Sequence, residues 1–310
     1  MNRQFVEDRA VAIDLLPFIW NVKGPGPHCC LDMKMSWLKR LAFAFEFGSV
    51  NPRQSFPVTE FPERIVKLDI SLNELEELQP EALFPFENLS DLDASLNALG
   101  IIRGVEVLPN LVVLNLSHNA LSDLRSLETC IHLSVLNVSH NQVRALGDMP
   151  LLSHLTRLHL GSNKLRSLEG IQILPQLCEL YVQKNRISSL LPLSSSLALN
   201  ILGADSNEIG SLQQALHVLG GLRRLRHLKL QGDLREELRE YEETFRTEVD
   251  GSIRYIDALP SEDIQGLVNP QEIPNAMEKY LFTKFWERWQ HGRRKPANIP
   301  YKELTKPEEK

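Results

Sequence analysis

Leu-Val-Val-Leu-Asn-Leu-Ser-His-Asn at residues 111–119 returns 22 residues later, at 133–141, as Leu-Ser-Val-Leu-Asn-Val-Ser-His-Asn. The shared pattern is an apolar residue, two variable, apolar, one variable, apolar, two variable, then asparagine. It is carried by Leu111, Leu114, Leu116 and Asn119, by Leu133, Leu136, Val138 and Asn141, and again by Leu155, Leu158, Leu160 and Asn163. Outward from these the closing position is found at Asn73, Asn97, Asn119, Asn141, Asn163, Asn185 and Asn207, with Asp233 in the last place. The successive steps are 24, 22, 22, 22, 22, 22 and 26 residues. A self-similar period of this length predicts an array of stacked supersecondary units.

Within each unit the apolar residues that flank one variable position read as a short strand with one face inward, because side chains alternate across a strand. Later residues such as Leu121, Leu124 and Leu127 cover the return path. One coil cannot bury its own leucines, whereas stacked neighbours bury them against each other. The predicted fold is therefore α/β: a right-handed solenoid of about eight coils with a parallel sheet on its concave side and helical N- and C-terminal flanks. The closing asparagines form a ladder. Where the chain turns away from the strand, a buried amide can satisfy backbone groups that would each cost about 1–3 kcal/mol if left unpaired.

The coil length, with leucine, serine and asparagine at these steps, resembles the intracellular leucine-rich repeats typified by the nuclear regulator of protein phosphatase 1, a class also common in ciliary and centrosomal proteins. Leu228, Leu230 and Asp233, then Tyr241, Phe245, Arg246, Ile253, Ile256 and Asp257, look like that class's C-terminal cap. The usual Asn-Pro-Leu after the last strand is here Asp233, Leu234 and Arg235. The resemblance spans residues 62–258 and implies a scaffold that binds another protein. It names no ligand, since one fold serves many functions.

Composition narrows the classes. A formal charge of -6, with 43% hydrophobic and 24% charged residues, favours neither membranes nor generic nucleic-acid binding. No apolar run approaches a membrane span, and Glu7, Asp8 and Asp14 interrupt the one stretch that resembles a leader. Cys29 and Cys30 are adjacent, while Cys130 and Cys178 fall in separate repeats, which is neither a disulfide frame nor a metal spacing. The expected location is intracellular: cytoplasmic, with a cilium, centrosome or nucleus as the alternatives. Asn88, Asn115 and Asn137 open glycosylation triplets that arise from the repeat itself.

The expected organisation is an N-terminal flank at 1–60, the repeats at 61–233, the cap at 234–260, and a linker with an amphipathic C-terminal helix and a disordered tail at 261–310. In the first flank, residues 1–30 read as partly disordered, between loop and fragmentary helix. Trp37, Leu38, Leu41, Ala42 and Phe45 predict a helix over 35–47 that either covers the first coil or binds a partner. At the other end Met277, Leu281, Phe285 and Trp289 place an aromatic stripe on a helix with basic neighbours, either docked on the solenoid or offered to a groove.

The phase of the ladder assigns residues to the exposed sheet face. One row is Asp69, Asp93, Asn115, Asn137, His159, Tyr181, Gly203 and Lys229. The other is Lys67, Asp91, Val113, Val135, Arg157, Glu179, Ile201 and His227. Asp69, Asp91 and Asp93 predict a negative patch that would speed association with a basic partner. Val113 and Val135, beside Arg157, His159, Glu179 and Tyr181, have the make-up of an interface hot spot.

Catalysis is not expected. Asp91 and Asp93 lie on an open face where nothing would shift their pKa values, and His118 and His140 recur with Ser117 and Ser139 because the repeat recurs. No cofactor or metal site and no small-molecule substrate is predicted. The leading expectation is a non-catalytic adaptor for a partner protein, in a phosphatase-regulatory or ciliary/centrosomal assembly. The alternative is a nucleic-acid or ribonucleoprotein module using the basic C-terminal helix, although the net charge and acidic first coils disfavour direct binding.

Overall fold

A computed structural model describes residues 10–12, 29–34, 64–230 and 255–256. The expected helices at 35–47 and 274–289, ladder residue Asp233 and most of the cap at 234–260 lie outside the described residues. In the described part the strands form one sheet whose spatial order is their chain order. They are β1 (Ala10–Ala12), β2 (Cys29–Asp32), β3 (Ile65–Asp69), β4 (Asp91–Asp93), β5 (Val113–Asn115), β6 (Val135–Asn137), β7 (Arg157–His159), β8 (Glu179–Tyr181), β9 (Ile201–Gly203), β10 (His227–Lys229) and β11 (Tyr255–Ile256). β1 runs antiparallel to β2, and every later pair is parallel.

The register is that of an array without slip. Leu68, Leu92, Leu114, Leu136, Leu158, Leu180, Leu202 and Leu228 stand opposite one another from β3 to β10. All are at most 2% exposed, so each contributes about 1.5–3 kcal/mol by leaving water. One continuous apolar core runs from Leu31 to Leu230.

Coil length decides what the return path contains. The 22-residue coils have room only for 3-10 turns such as Val105–Val107, Arg125–Leu127 and Ile171–Ile173. The two longer coils carry the α-helices: α1 (Pro80–Leu83) in the 24-residue step and α2 (Leu212–Gly221) in the 26-residue step. Ser211 caps α2, its hydroxyl accepting from the Gln214 N–H at 3.3 Å.

Two strands, β1 and β2, fall within residues 1–30 and just beyond, where the sequence left the choice between loop and fragmentary helix. The segment Leu31-Asp32-Met33 pairs beside Leu68-Asp69-Ile70 with the same apolar-acid-apolar order, and Leu31 and Met33 are fully buried. It adds a coil edge that the asparagine pattern missed because position 36, four beyond Asp32, is serine. At the other end Ile256 extends the register from Leu228.

The ladder is a chain of bonds between coils. Each asparagine donates to two carbonyls of its own turn and one of the preceding coil; Asn141 reaches Val138 O at 3.0 Å, Ser139 O at 3.1 Å and Leu116 O at 2.9 Å. Its Oδ1 accepts from the Leu121 N–H at 2.9 Å, also on the preceding coil. The residue before each asparagine (Leu72, Leu96, His118, His140, Ser162, Lys184 and Ser206) has φ between 54° and 57°. The turn thus spends about 1 kcal/mol or more of left-handed strain per coil to aim the amide inward.

Candidate functional site

The sheet's open face carries two rows of side chains spaced by one strand, about 4.8 Å. In the outer row, register places Lys67 opposite Asp91, Asp91 opposite Val113, Val113 opposite Val135, Val135 opposite Arg157, and Arg157 opposite Glu179. The two valines therefore form a small apolar spot with charges on both sides. Lateral ion pairs hold those charges: Lys67 Nζ is 3.4 Å from Asp91 Oδ1, and Arg157 Nε is 2.9 Å from Glu179 Oε1. Tyr181 donates its hydroxyl to the other Glu179 oxygen at 3.4 Å. Asp91 is therefore neutralised by its neighbour, which leaves Asp69 and Asp93 as the acidic part of the first coils.

The inner row is more structural than its place in the sequence implies. Asp32, Asp69, Asp93, Asn115 and Asn137 each turn the side chain back so that Oδ1 accepts the backbone N–H two residues on, at 2.9–3.1 Å. This Asx arrangement closes the ends of β2 to β6. Asn115 and Asn137 are 6% and 1% exposed, so neither glycosylation triplet is open to modification. His159 and Tyr181 lie flat against each other, ring centroids 4.4 Å apart and 5° from parallel, and are 5% and 3% exposed. Of the predicted hot-spot residues, Val113, Val135, Arg157 and Glu179 offer surface, while His159 and Tyr181 support them from within the row.

The expectation that nothing shifts the carboxylates fails for Asp93. Burial, then the neighbouring Asp69 carboxylate, pushes its pKa up to about 7, against the hydrogen bonds of Ser95 and Asn115 that favour the charged form. Asp69 is raised too, chiefly by burial. The in-register column Asp32–Asp69–Asp93 adds the smaller, like-charge part of each shift, Asp32 acting on Asp69 and Asp69 on Asp93. His159 is pushed down to about 4, by burial first and then by Arg157.

His118 and His140 stack with ring centroids 4.0 Å apart. Burial lowers them to about 3 and about 4, so they are neutral rings packed on a turn. Among the described residues no group of three or more His, Cys, Asp or Glu side chains could hold a metal ion. Cys130, fully buried, has its thiol pushed up to about 11 by desolvation, the opposite of a nucleophile's environment. No helix of the described residues is long and apolar enough to cross a membrane.

A family model for leucine-rich repeats, two copies, matches residues 109–152, the two coils with the most regular pattern. Together with the parallel register that runs without slip from β3 to β10 this decides the architecture. The chain folds as a leucine-rich repeat solenoid. Such repeats generally serve as protein-protein interaction modules. The chain is similar in structure to an internalin of Listeria monocytogenes, with a TM-score of 0.54 and 20% identity over 66% of this chain and 57% of that one. It therefore spans less than two thirds of the internalin, and the likeness concerns the fold alone. A leucine-rich repeat protein of Leptospira interrogans aligns with a TM-score of 0.43 and 21% identity over 64% of this chain and 62% of that one. No curated protein matches the chain by sequence.

A second group of residues was missed because it lies off the strands. Arg144, Lys164, Arg166 and Arg186 line a groove of about 490 Å³ on the edge just after the ladder. The signal was available as a column: of the six residues one and three places beyond Asn141, Asn163 and Asn185, these four are cationic and the other two are Gln142 and Ser188.

Proposed function

We propose that the chain is a non-catalytic scaffold that binds a partner protein through the open face of its sheet. The observation that carries this reading is the apolar pair Val113 and Val135, in register on adjacent strands and bounded by the Lys67–Asp91 and Arg157–Glu179 ion pairs. A desolvable centre with a charged rim is the arrangement in which a few contacts dominate binding. The two flanking pairs fix orientation, since a partner charge must insert beside an ion pair already made. Asp69 and the charged fraction of Asp93 favour a basic surface at the N-terminal end of the footprint, more strongly as the pH rises through about 7. By the resemblance to the phosphatase-regulator class and its cap, the partner belongs to a phosphatase-regulatory or a ciliary or centrosomal assembly, and the scaffold acts in the cytoplasm.

The test is affinity capture from cell lysate with quantitative mass spectrometry, comparing the wild-type chain with Val113→Asp/Val135→Asp. Both valines keep some exposure, so the pair should fold and lose the partner. Equal recovery of every captured protein by both forms would place the working surface elsewhere. Capture lacking any phosphatase or cytoskeletal component would remove both proposed assemblies.

A further inference from the structure

The groove lined by Arg144, Lys164, Arg166 and Arg186 differs from the sheet face in both chemistry and position. All four side chains are exposed, and among the described residues no ion pair joins any of them. The one polar contact their side chains make among the described residues is Lys164 Nζ donating to Gln142 Oε1 at 3.1 Å. Other arginines find carboxylates: Arg157 lies 2.9 Å from Glu179, Arg125 lies 3.3 Å from Asp123 and 4.0 Å from Asp148, and the groove that Arg125 and Arg103 line also holds Glu106 and Glu128. Four cations without acids, in a chain of formal charge -6, are a local inversion of the molecule's field.

The backbone beneath them is rigid. Lys164 N–H donates to Val143 O at 2.9 Å, and Arg186 N–H to Leu165 O at 2.8 Å. The N–H groups of Val143 and Leu165 are held by Asn163 and Asn185 at 3.0 Å each. The ladder thus fixes the base of all four cations at coil spacing. Along the same two columns the adjoining coils carry Ala120 and Ser122 on one side and Glu208 and Gly210 on the other, so the positive stretch is bounded at three coils, about 10 Å.

We propose that this groove is a second binding site, one that takes a phosphorylated peptide segment of a partner protein. Within about 10 Å an extended acidic peptide presents at most two carboxylates on one side, too little charge to answer four cations. A phosphoryl group carries about two charges and three acceptor oxygens, and guanidinium forks match it bidentately. A nucleic acid would need a basic track longer than these three coils. A membrane would call for apolar residues beside the cations, and none of the exposed large apolar side chains lines the groove. The site goes beyond the sheet-face reading and stands apart from it.

Fluorescence anisotropy on the full chain tests it, with a labelled ten-residue Gly/Ser peptide bearing two phosphoserines, its unphosphorylated form, its diglutamate form and a twelve-nucleotide RNA. The phosphopeptide should bind at least tenfold more tightly than the diglutamate form, and the affinity should fall as salt rises. Arg144→Gln/Arg166→Gln should weaken it at least tenfold, as should Lys164→Gln/Arg186→Gln. Arg223→Gln/Arg224→Gln, on exposed residues elsewhere, and Val113→Asp/Val135→Asp should leave it unchanged. No phosphopeptide binding at 50 mM salt, equal weakening by the Arg223/Arg224 pair, no preference over glutamate, or tighter binding of the RNA would each overturn the proposal. Failure of the lysate capture with intact phosphopeptide binding would sink the sheet-face reading alone.

Discussion

Replacing Asn141 by alanine removes four hydrogen bonds, yet the structure predicts a smaller loss than four orphaned groups would give. Leu116 O keeps the Asn119 amide at 3.0 Å, Val138 O keeps Asn163 at 2.9 Å, and Ser139 O keeps the His118 N–H at 2.9 Å. The Leu121 N–H alone loses its acceptor, the Asn141 Oδ1. One buried donor without a partner costs about 1–3 kcal/mol, and about 2 kcal/mol is expected. Asn141→Asp separates this account from mere loss of packing. It retains an acceptor for Leu121 but turns a carboxylate oxygen toward three carbonyl oxygens that now lie 2.9–3.1 Å from the amide nitrogen. Aspartate should therefore be worse than alanine at pH 7, by about 1 kcal/mol or more, because a buried charge without a partner is costlier than a cavity. That gap should close as the pH falls and the carboxyl gains a proton to donate. Urea unfolding followed by far-UV circular dichroism at pH 7 and pH 5 measures all three proteins. An alanine variant within about 0.5 kcal/mol of wild type, or an aspartate variant no worse than alanine at pH 7, would refute the assignment of donors and acceptors in the ladder.

Asp93→Asn should stabilise the fold at pH 8 and do nothing near pH 4. The raised pKa means that the folded state holds a proton that the unfolded chain releases from about pH 4 upward, so the wild-type contribution is lost as pH rises through about 7. The shift alone corresponds to ~4 kcal/mol; partial exposure of Asp93 reduces the expected gain to about 1–2 kcal/mol, and a pH-independent difference in urea midpoints would contradict it. Lys184→Asn, at φ 55° on an exposed turn, should raise stability by about 0.5–1 kcal/mol, because asparagine adopts the left-handed conformation more readily than lysine. A lowered melting temperature would show that the lysine makes a contribution outweighing its backbone strain.

The sequence exposed a great deal of the fold for a physical reason: stacking forces every coil to solve the same burial problem, so the solution is written once per 22 residues. Where the problem is solved differently, the signal disappears. β2 lacks the asparagine at its ladder place and was invisible to the period, although Leu31, Asp32 and Met33 repeat the strand. The outer row at Val113, Val135, Arg157 and Glu179 was legible because alternation alone sets which way a strand residue points. Alternation says nothing of whether a short polar side chain then folds back on its own backbone, as Asn115 and Asn137 do, or whether His159 and Tyr181 close on each other. The basic groove was hidden for another reason. Its four residues are far apart in the chain and lie off the strands, so only the column view across coils brings them together.

By itself the sequence determined the period, the inward leucines and the ladder, because these are local patterns that every coil must satisfy to bury its core. Tertiary structure alone decided which charges meet. Burial and the neighbouring Asp69 in one column raise Asp93, Lys67 and Arg157 find acids on the next strand, and among the described residues Arg144, Lys164, Arg166 and Arg186 find none. These differences come from register across coils, where a distance of one strand separates residues some 22 positions apart, and coulombic energy depends on that distance and on the water excluded around it.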